Sequence, residues 1–380
     1  MRKSQFAIAA ALLALLGLVG QGFGQKSFET GAPVSDRDKA GLRGPVKTVV
    51  DEQTFSRPDG QPIVTADTTK YAPDGKILEV RHRNPDSSEW VTTYTYDPAG
   101  RLLKISSGNS ETNPSETSFS YDQAGRMLEE RVGADMPIRY EYDSQGRKSV
   151  IETYSSQPLP PNAGYVPNWD GSDMGFAPCP RCNLTTTYNE HNIATGAELR
   201  DSQGKLLGHI VRTFDANGRV SAEQQIADAP DQMVPEELRT NLNPDQVKAV
   251  GAFMAGGMMN RSISYSYDAQ GRVIEKRRTG GVFGEDVTIT TYNDLGDRAS
   301  ETTTTVTNPD ADREYGITEA GTLIPTGAAR PAQPPTVSEA QYTYQVDSYG
   351  NWTEQTVMYR SSAKDSFTPG ATHRRKLTYY

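Results

Sequence analysis

The chain has 380 residues, a formal net charge of −9 and a hydrophobic fraction of 35%. The acidic balance excludes a general nucleic-acid or anionic-membrane binder, and Arg and Lys are spread along the chain rather than massed. So low an apolar content fits a sheet with one wet face and argues against a parallel α/β core covered on both sides.

In chain order, residues 1–25 read as an export signal. Arg2 and Lys3 form a basic start, Phe6 to Val19 is an apolar stretch short for a bilayer, and Gly22-Phe23-Gly24 brings small residues to the cleavage positions. No Cys follows, so lipid attachment at a new N-terminus is not expected, and no later stretch is apolar enough to span a membrane. Residues 26–40 form a polar lead. Residues 41–380 read as a β domain with insertions at 154–183, 227–260 and 305–338.

A hairpin motif organises that domain. It reads Tyr94-Thr-Tyr96-Asp97-Pro-Ala-Gly100-Arg101, then Phe119-Ser-Tyr121-Asp122-Gln-Ala-Gly125-Arg126. It returns as Tyr140-Glu-Tyr142-Asp143-Ser-Gln-Gly146-Arg147 and Tyr265-Ser-Tyr267-Asp268-Ala-Gln-Gly271-Arg272. The paired aromatics, two residues apart, lie on one face of a strand. Asp then caps a turn, Gly closes it at positive φ with a bulge, and Arg opens the return strand. Looser copies surround these: Tyr71 to Lys76, Asp201 to Lys205, Phe214 to Arg219, Tyr292 to Asp297, Asp347 to Asn351, with Asp59-Gly60 a degenerate first one. Gly75, Gly100 and Gly125 are spaced 25 residues apart, as are Gly271 and Gly296, room for two strands and a return turn.

This pattern resembles the YD repeat of the RHS family, over roughly residues 40–380. Gly41-Leu-Arg-Gly-Pro-Val-Lys-Thr48 resembles the opening strand of small exported YD-repeat proteins, and Gly350-Asn-Trp352 with Arg375-Lys-Leu-Thr-Tyr379 their closing unit. The resemblance implies an all-β fold, a curled antiparallel sheet of repeated hairpins. Large members of the family form a shell around a C-terminal toxin and cut themselves beside it. This chain departs from them: it has about ten units, no self-cleavage segment was found, and it ends on a repeat-like strand.

The insertions differ in kind. The first, a Pro-rich and aromatic loop, gathers Tyr165, Trp169, Asp170, Asp173 and Phe176 outside any repeat, a candidate ligand-binding set on a rigid scaffold. The other reading is a hydrophobic plug over the sheet. Cys179 and Cys182, the two cysteines, follow in Cys-Pro-Arg-Cys. In an exported chain a small-loop disulfide is expected; a redox dithiol and half of a zinc site are the alternatives, and Asn183 after Cys182 excludes haem attachment. The second insertion is helical: Pro235-Glu-Glu-Leu238 starts a short helix, and Asn243-Pro-Asp-Gln246 reads as N-cap, N1 proline and capping-box partner. The third is Pro/Ala/Thr-rich.

No catalytic constellation emerges. There is no Gly-x-Ser-x-Gly, no His-Glu-x-x-His and no phosphate-cradling glycine loop, and the four histidines lie in unlike contexts. Asp97, Asp122, Asp143, Asp215 and Asp268 recur because each nucleates its own turn. Asp310-x-Asp312-x-Glu314 fails as a calcium loop, since Gly316 comes one place late. The expectation is therefore an exported, non-catalytic β-repeat protein, secreted or held in the periplasm or at the bacterial cell surface. It would be a scaffold or adhesion module that takes envelope polysaccharide or another surface protein as partner, without metal or cofactor. The alternatives are a glycan-active enzyme with a site in the insertions, and a small accessory or remnant of a polymorphic toxin system.

Overall fold

The computed structural model describes residues 35–56, 62–109, 114–132, 136–153, 181–234, 236–256, 260–280, 284–309, 313–328 and 331–380. The expected export signal and the turn at Asp59-Gly60 lie outside the described residues. The fold class is the expected one, all-β and antiparallel. The chain falls into two compact units. Of the described residues, one unit holds those from 35 to Tyr140 with Thr290–Thr302 and Val337–Tyr380; the other holds those of Glu141–Ile289 with Thr303–Thr336.

The first unit opens with a four-residue helix, α1 (Asp36–Lys39), and continues through β1 (Val46–Ser56), β2 (Pro62–Tyr71), β3 (Ile77–Arg83), β4 (Glu89–Tyr96), β5 (Leu102–Asn109), β6 (Ser115–Tyr121), β7 (Met127–Val132) and β8 (Met136–Tyr142). Each strand pairs with the next, as hairpin repeats require. The second unit continues with β9 (Lys148–Thr153), β10 (Asn183–Tyr188), β11 (Ala194–Arg200), β12 (Leu206–Phe214) and β13 (Val220–Ala227). After α2 (Glu236–Arg239) and α3 (Pro244–Met254) come β14 (Arg261–Tyr267), β15 (Val273–Thr279) and β16 (Glu285–Tyr292). From β9 to β16 each strand again pairs with the next. β17 (Arg298–Val306) is followed by a separate two-stranded hairpin, β18 (Tyr315–Ile317) and β19 (Leu323–Pro325). The chain returns to the first unit with β20 (Thr336–Val346), β21 (Trp352–Arg360) and β22 (Thr368–Tyr379). There β22 pairs with β1, from Tyr379↔Val46 to Thr372↔Thr54, so the last strand covers the edge of the first.

The helical insertion forms as its sequence predicts. Asn243 caps α3, its side chain accepting from the Gln246 N–H while the Gln246 side chain accepts from the Asn243 N–H. The two side chains also tie α3 to the β18–β19 turn, through Asn243 to the Glu319 carbonyl (2.9 Å) and Gln246 to the Thr318 carbonyl (3.0 Å). That hairpin lies in the stretch read as a Pro/Ala/Thr-rich excursion, and strand pairing there was not foreseen.

Two apolar clusters sit under the sheets. Leu42, Val46, Val49 and Tyr71 form one in the first unit. Leu184, Leu199, Leu207, Ile210 and Ile263, with Cys182 among them, form the other in the second unit.

Candidate functional site

The repeated residues are engaged with one another. In the turn at 97–101 the Asp97 N–H donates to the Arg101 carbonyl (2.9 Å) and the Gly100 N–H to the Asp97 carbonyl (2.8 Å). The Asp97 carboxylate accepts from the Arg101 N–H (2.8 Å) and from its Nε (2.6 Å). The same four bonds recur at 122–126, 143–147, 215–219 and 268–272. The register slips by one residue at Tyr96, Tyr121 and Tyr267, the expected bulge. The Arg101 N–H and guanidinium hold the Asp97 carboxyl below the ordinary carboxylate value, and Arg126 does the same for Asp122.

Neighbouring repeats lock through the second tyrosine. Tyr96 donates to the Ile77 carbonyl (2.8 Å), Tyr121 to Leu102 (2.7 Å) and Tyr267 to Val220 (2.7 Å). Each acceptor stands two residues after the preceding turn's glycine, beyond the last register pair of its strand with the next, so the phenol serves a carbonyl that the ladder leaves over. The cation of the preceding turn covers the same ring: Lys76 over Tyr96, Arg101 over Tyr121 and Arg219 over Tyr267, at 5.7, 5.1 and 4.5 Å. Between the first two turns lies a shallow cavity of about 370 Å³, lined by Asp74, Lys76, Tyr96, Asp97 and Gly100. Burial first, then the charges of Asp36 and other neighbours, pushes Tyr96 up to about 12.

The ends of the array use variants of this lock. α1 stands where an earlier repeat would stand: the Arg37 N–H donates to the Gly75 carbonyl (3.0 Å), and Asp36 accepts from the Ile77 N–H (3.2 Å). At the other end Asn351 replaces the arginine. Its buried amide accepts from the Arg43 N–H (2.7 Å) and donates to the Arg43 carbonyl (2.8 Å). Tyr379 donates to Asp347 and stacks on Tyr349 at 4.5 Å. Burial and then the Asp347 bond push Tyr379 up to about 12. Arg375 binds Asp51 (2.9 Å) with its guanidinium 3.4 Å from the centre of the Trp352 ring, and His373 meets the same ring edge-on. Burial lowers the His373 pKa. In the second unit Arg212 and Glu223, opposite each other on β12 and β13, form a buried ion pair completed by Tyr265 to Glu223 (2.7 Å) and Arg212 to the Ala194 carbonyl (3.2 Å).

The predicted ligand-binding residues Tyr165, Trp169, Asp170, Asp173 and Phe176 lie outside the described residues, as does Cys179. Cys182 is buried, and no free cysteine occurs among the described residues. No cluster of three or more His, Cys, Asp or Glu fit to hold a metal occurs among the described residues. His82 pairs with Asp67 (2.7 Å), but its other nitrogen faces the Asn84 side-chain oxygen (3.1 Å) rather than a nucleophilic hydroxyl.

Besides the β18–β19 hairpin, a further repeat escaped the sequence reading. At 188–193 Asn189 replaces Asp, accepting from the His191 and Ile193 N–H groups (3.1 and 2.9 Å), and Asn192 replaces Gly at φ +60°. Lys148 covers Tyr188 at 4.1 Å, as Arg101 covers Tyr121. Asparagine is, with aspartate, the non-glycine residue most tolerant of this region, so Tyr-Asn-x-x-Asn was the available signal.

Residues 52–158 match the Teneurin YD-shell family. Among solved structures, a porin-like protein from Bacteroides uniformis ATCC 8492 is similar at 11% identity, over 88% of this chain and 98% of that one, with a TM-score of 0.32. TcdB2-TccC3-TEV is similar at 13% identity, over 86% of this chain and 16% of that one, with a TM-score of 0.32. TcdB2-TccC3 without its hypervariable C-terminal region is similar at 12% identity, over 83% and 18%, with a TM-score of 0.22. No curated protein sequence matches. The same turn, tyrosine lock and covering cation recur on both sides of the helical insertion, and the chain is a β-repeat protein that is similar over residues 52–158 to the Teneurin YD-shell family.

Proposed function

We propose that this chain is a non-catalytic scaffold of the bacterial cell envelope, exported by residues 1–25, whose insertions carry its binding functions. The observation behind this reading is the engagement of the repeated Asp, Arg and Tyr side chains in their own turns and in the repeat before. A carboxylate bonded to its own turn arginine serves as a cap, not as a general acid. The reading assigns Tyr165, Trp169, Asp170, Asp173 and Phe176 to ligand contact, with envelope polysaccharide as the ligand class, on their composition and their place outside the repeats.

The test is a binding screen of the chain from residue 26 against purified envelope polysaccharides, run beside a version lacking residues 160–182. Binding that needs 160–182, with no release of reducing ends, supports the proposal. Cleavage of a glycan overturns the non-catalytic reading, and retention of the protein in the cytoplasm overturns the assignment to the envelope.

A further inference from the structure

Trp90 is 43% exposed on β4, whereas Tyr94 and Tyr96, two and three turns of the pleat along the same strand face, are half-buried. Among the described residues Trp90 is the exposed tryptophan, and its setting is mostly polar. Its cross-strand partners are His82 on β3 and Asn109 on β5, and His82 is in turn opposite Asp67 on β2. Direct partners share a sheet face, so Asp67, His82, Trp90 and Asn109 form a row across four adjacent strands.

The row is held in place. The indole N–H donates to Ser107 Oγ (2.6 Å), and Ser107 is bonded to Thr92 Oγ1 (2.7 Å). The ring's polar edge is thereby satisfied, and what it offers to solvent is its π face. His82 is fixed through both nitrogens, by Asp67 (2.7 Å) and by Asn84 (3.1 Å), and the Asn84 amide is fixed by Ser88 (3.0 Å). The Asp67 and His82 side chains are 50% and 41% exposed.

We propose that this row is a carbohydrate-binding site, in which Trp90 stacks against the apolar face of one pyranose of a neutral glycan and the Asp67 carboxylate, two strands along the row and oriented by His82, accepts from a hydroxyl of the adjoining sugar. A pyranose presents one C–H face edged by hydroxyls, and the row presents one flat ring with a carboxylate two strands away on the same sheet face, the spacing of adjoining sugars rather than of one ring. A carboxylate accepts from a hydroxyl in a short, charge-assisted bond. Other ligand classes fit less well. A protein hot spot would ring the indole with apolar side chains that exclude water, whereas its bonded and cross-strand neighbours among the described residues are Thr92, Ser107, Asn109 and His82. A phosphate-bearing partner would face Asp67, and an alkylammonium ligand calls for a cage of several rings. The row shares no residue with the 160–182 set.

The experiment is calorimetric titration of the chain from residue 26 with cellohexaose, chitohexaose and maltohexaose as probes. At least one is expected to bind. Trp90→Ala should weaken that binding roughly tenfold or more, Trp90→Phe should keep most of it, and Asp67→Asn should weaken it several-fold. Deletion of 160–182 should leave it unchanged. Asp67 is half-exposed, so its variant reads the site even where Trp90→Ala perturbs folding. Absence of binding to all three probes overturns the proposal. So does binding that survives Trp90→Ala and disappears with 160–182, an outcome that leaves the scaffold reading standing.

Discussion

Replacing Gly100 with Val tests the turn assignment at its most demanding atom. Gly100 sits at φ +81°. For an L-residue there, Cβ crowds the following carbonyl at a cost of about 1–2 kcal/mol, and β-branching adds to it. Space adds little, because a Cβ at Gly100 would meet Lys76 Nζ at 2.6 Å, the far end of a flexible chain that can swing aside. Gly146, at φ +78° with nothing within 4 Å, supplies the control in which the dihedral acts alone. Both Gly→Val variants should therefore lose about 2 kcal/mol or slightly more. Asp97→Asn should lose less, since Asn keeps Oδ1 for the Arg101 N–H. The chain already carries that substitution: Asn293 accepts from the Leu295 and Asp297 N–H groups at 3.0 and 2.9 Å, in the same turn. Guanidinium denaturation at a common slope reads these differences as midpoints. Equal midpoints for Gly100→Val and Asp97→Asn would refute the reasoning, because they would mean that the turn does not depend on the left-handed residue.

Tyr121→Phe should cost about 1 kcal/mol by leaving the Leu102 carbonyl without its phenol donor, and Tyr267→Phe should match it; a variant as stable as the parent in urea melts would count against the lock. With Tyr379 raised from 10.0 to about 12 in the folded state, the folded chain holds a proton that the unfolded chain releases. That contribution is complete below pH 10 and is lost as pH rises toward 12, so melting temperature should fall over this window, and less steeply in Tyr379→Phe. Glu223→Leu leaves Arg212 buried beside apolar side chains and should cost about 3–5 kcal/mol, while Arg212→Met with Glu223→Leu should recover most of it; a double variant no better than the single one would show that the charge was not the problem. Cys179 and Cys182 are expected to be oxidised to each other in the exported protein, and labelling of two thiols in the native, unreduced protein would rule the disulfide out.

What could be read from the sequence was the part in which a residue's partner lies within a few positions. Asp97 bonds Arg101 four residues away, and Asn243 bonds Gln246 three residues away, so spacing alone names both contacts. The tyrosine lock is different. Tyr121 and Leu102 are 19 residues apart, as are Tyr96 and Ile77, yet Tyr267 and Val220 are 47 apart because the helical insertion falls between them. Only the pairing of β13 with β14 reveals that the third is the same contact. The β18–β19 hairpin escaped because Pro, Ala and Thr dominate its surroundings and Thr318 stands where Asp would mark the turn, its hydroxyl accepting from the Thr322 N–H. The burial of Arg212 and Glu223 has no sequence signal for a related reason, since alternation tells which residues share a face but not which face is covered.

The same limit bears on Trp90. Its sequence neighbours, Glu89 and Val91, say nothing of a site, and its row exists only because β2, β3, β4 and β5 fall into a register that sets Asp67, His82, Trp90 and Asn109 abreast. A one-residue slip between β3 and β4 would move Trp90 to the opposite face from His82 and leave the motif residues of both hairpins unchanged. The turns therefore do more than reverse the chain. The turns at Gly75 and Gly100 set Asp67 opposite His82 and Trp90 opposite Asn109, while the return turn at Asn84–Ser88 sets β3 against β4, so variation in the strands can change a surface without disturbing the repeat that carries it.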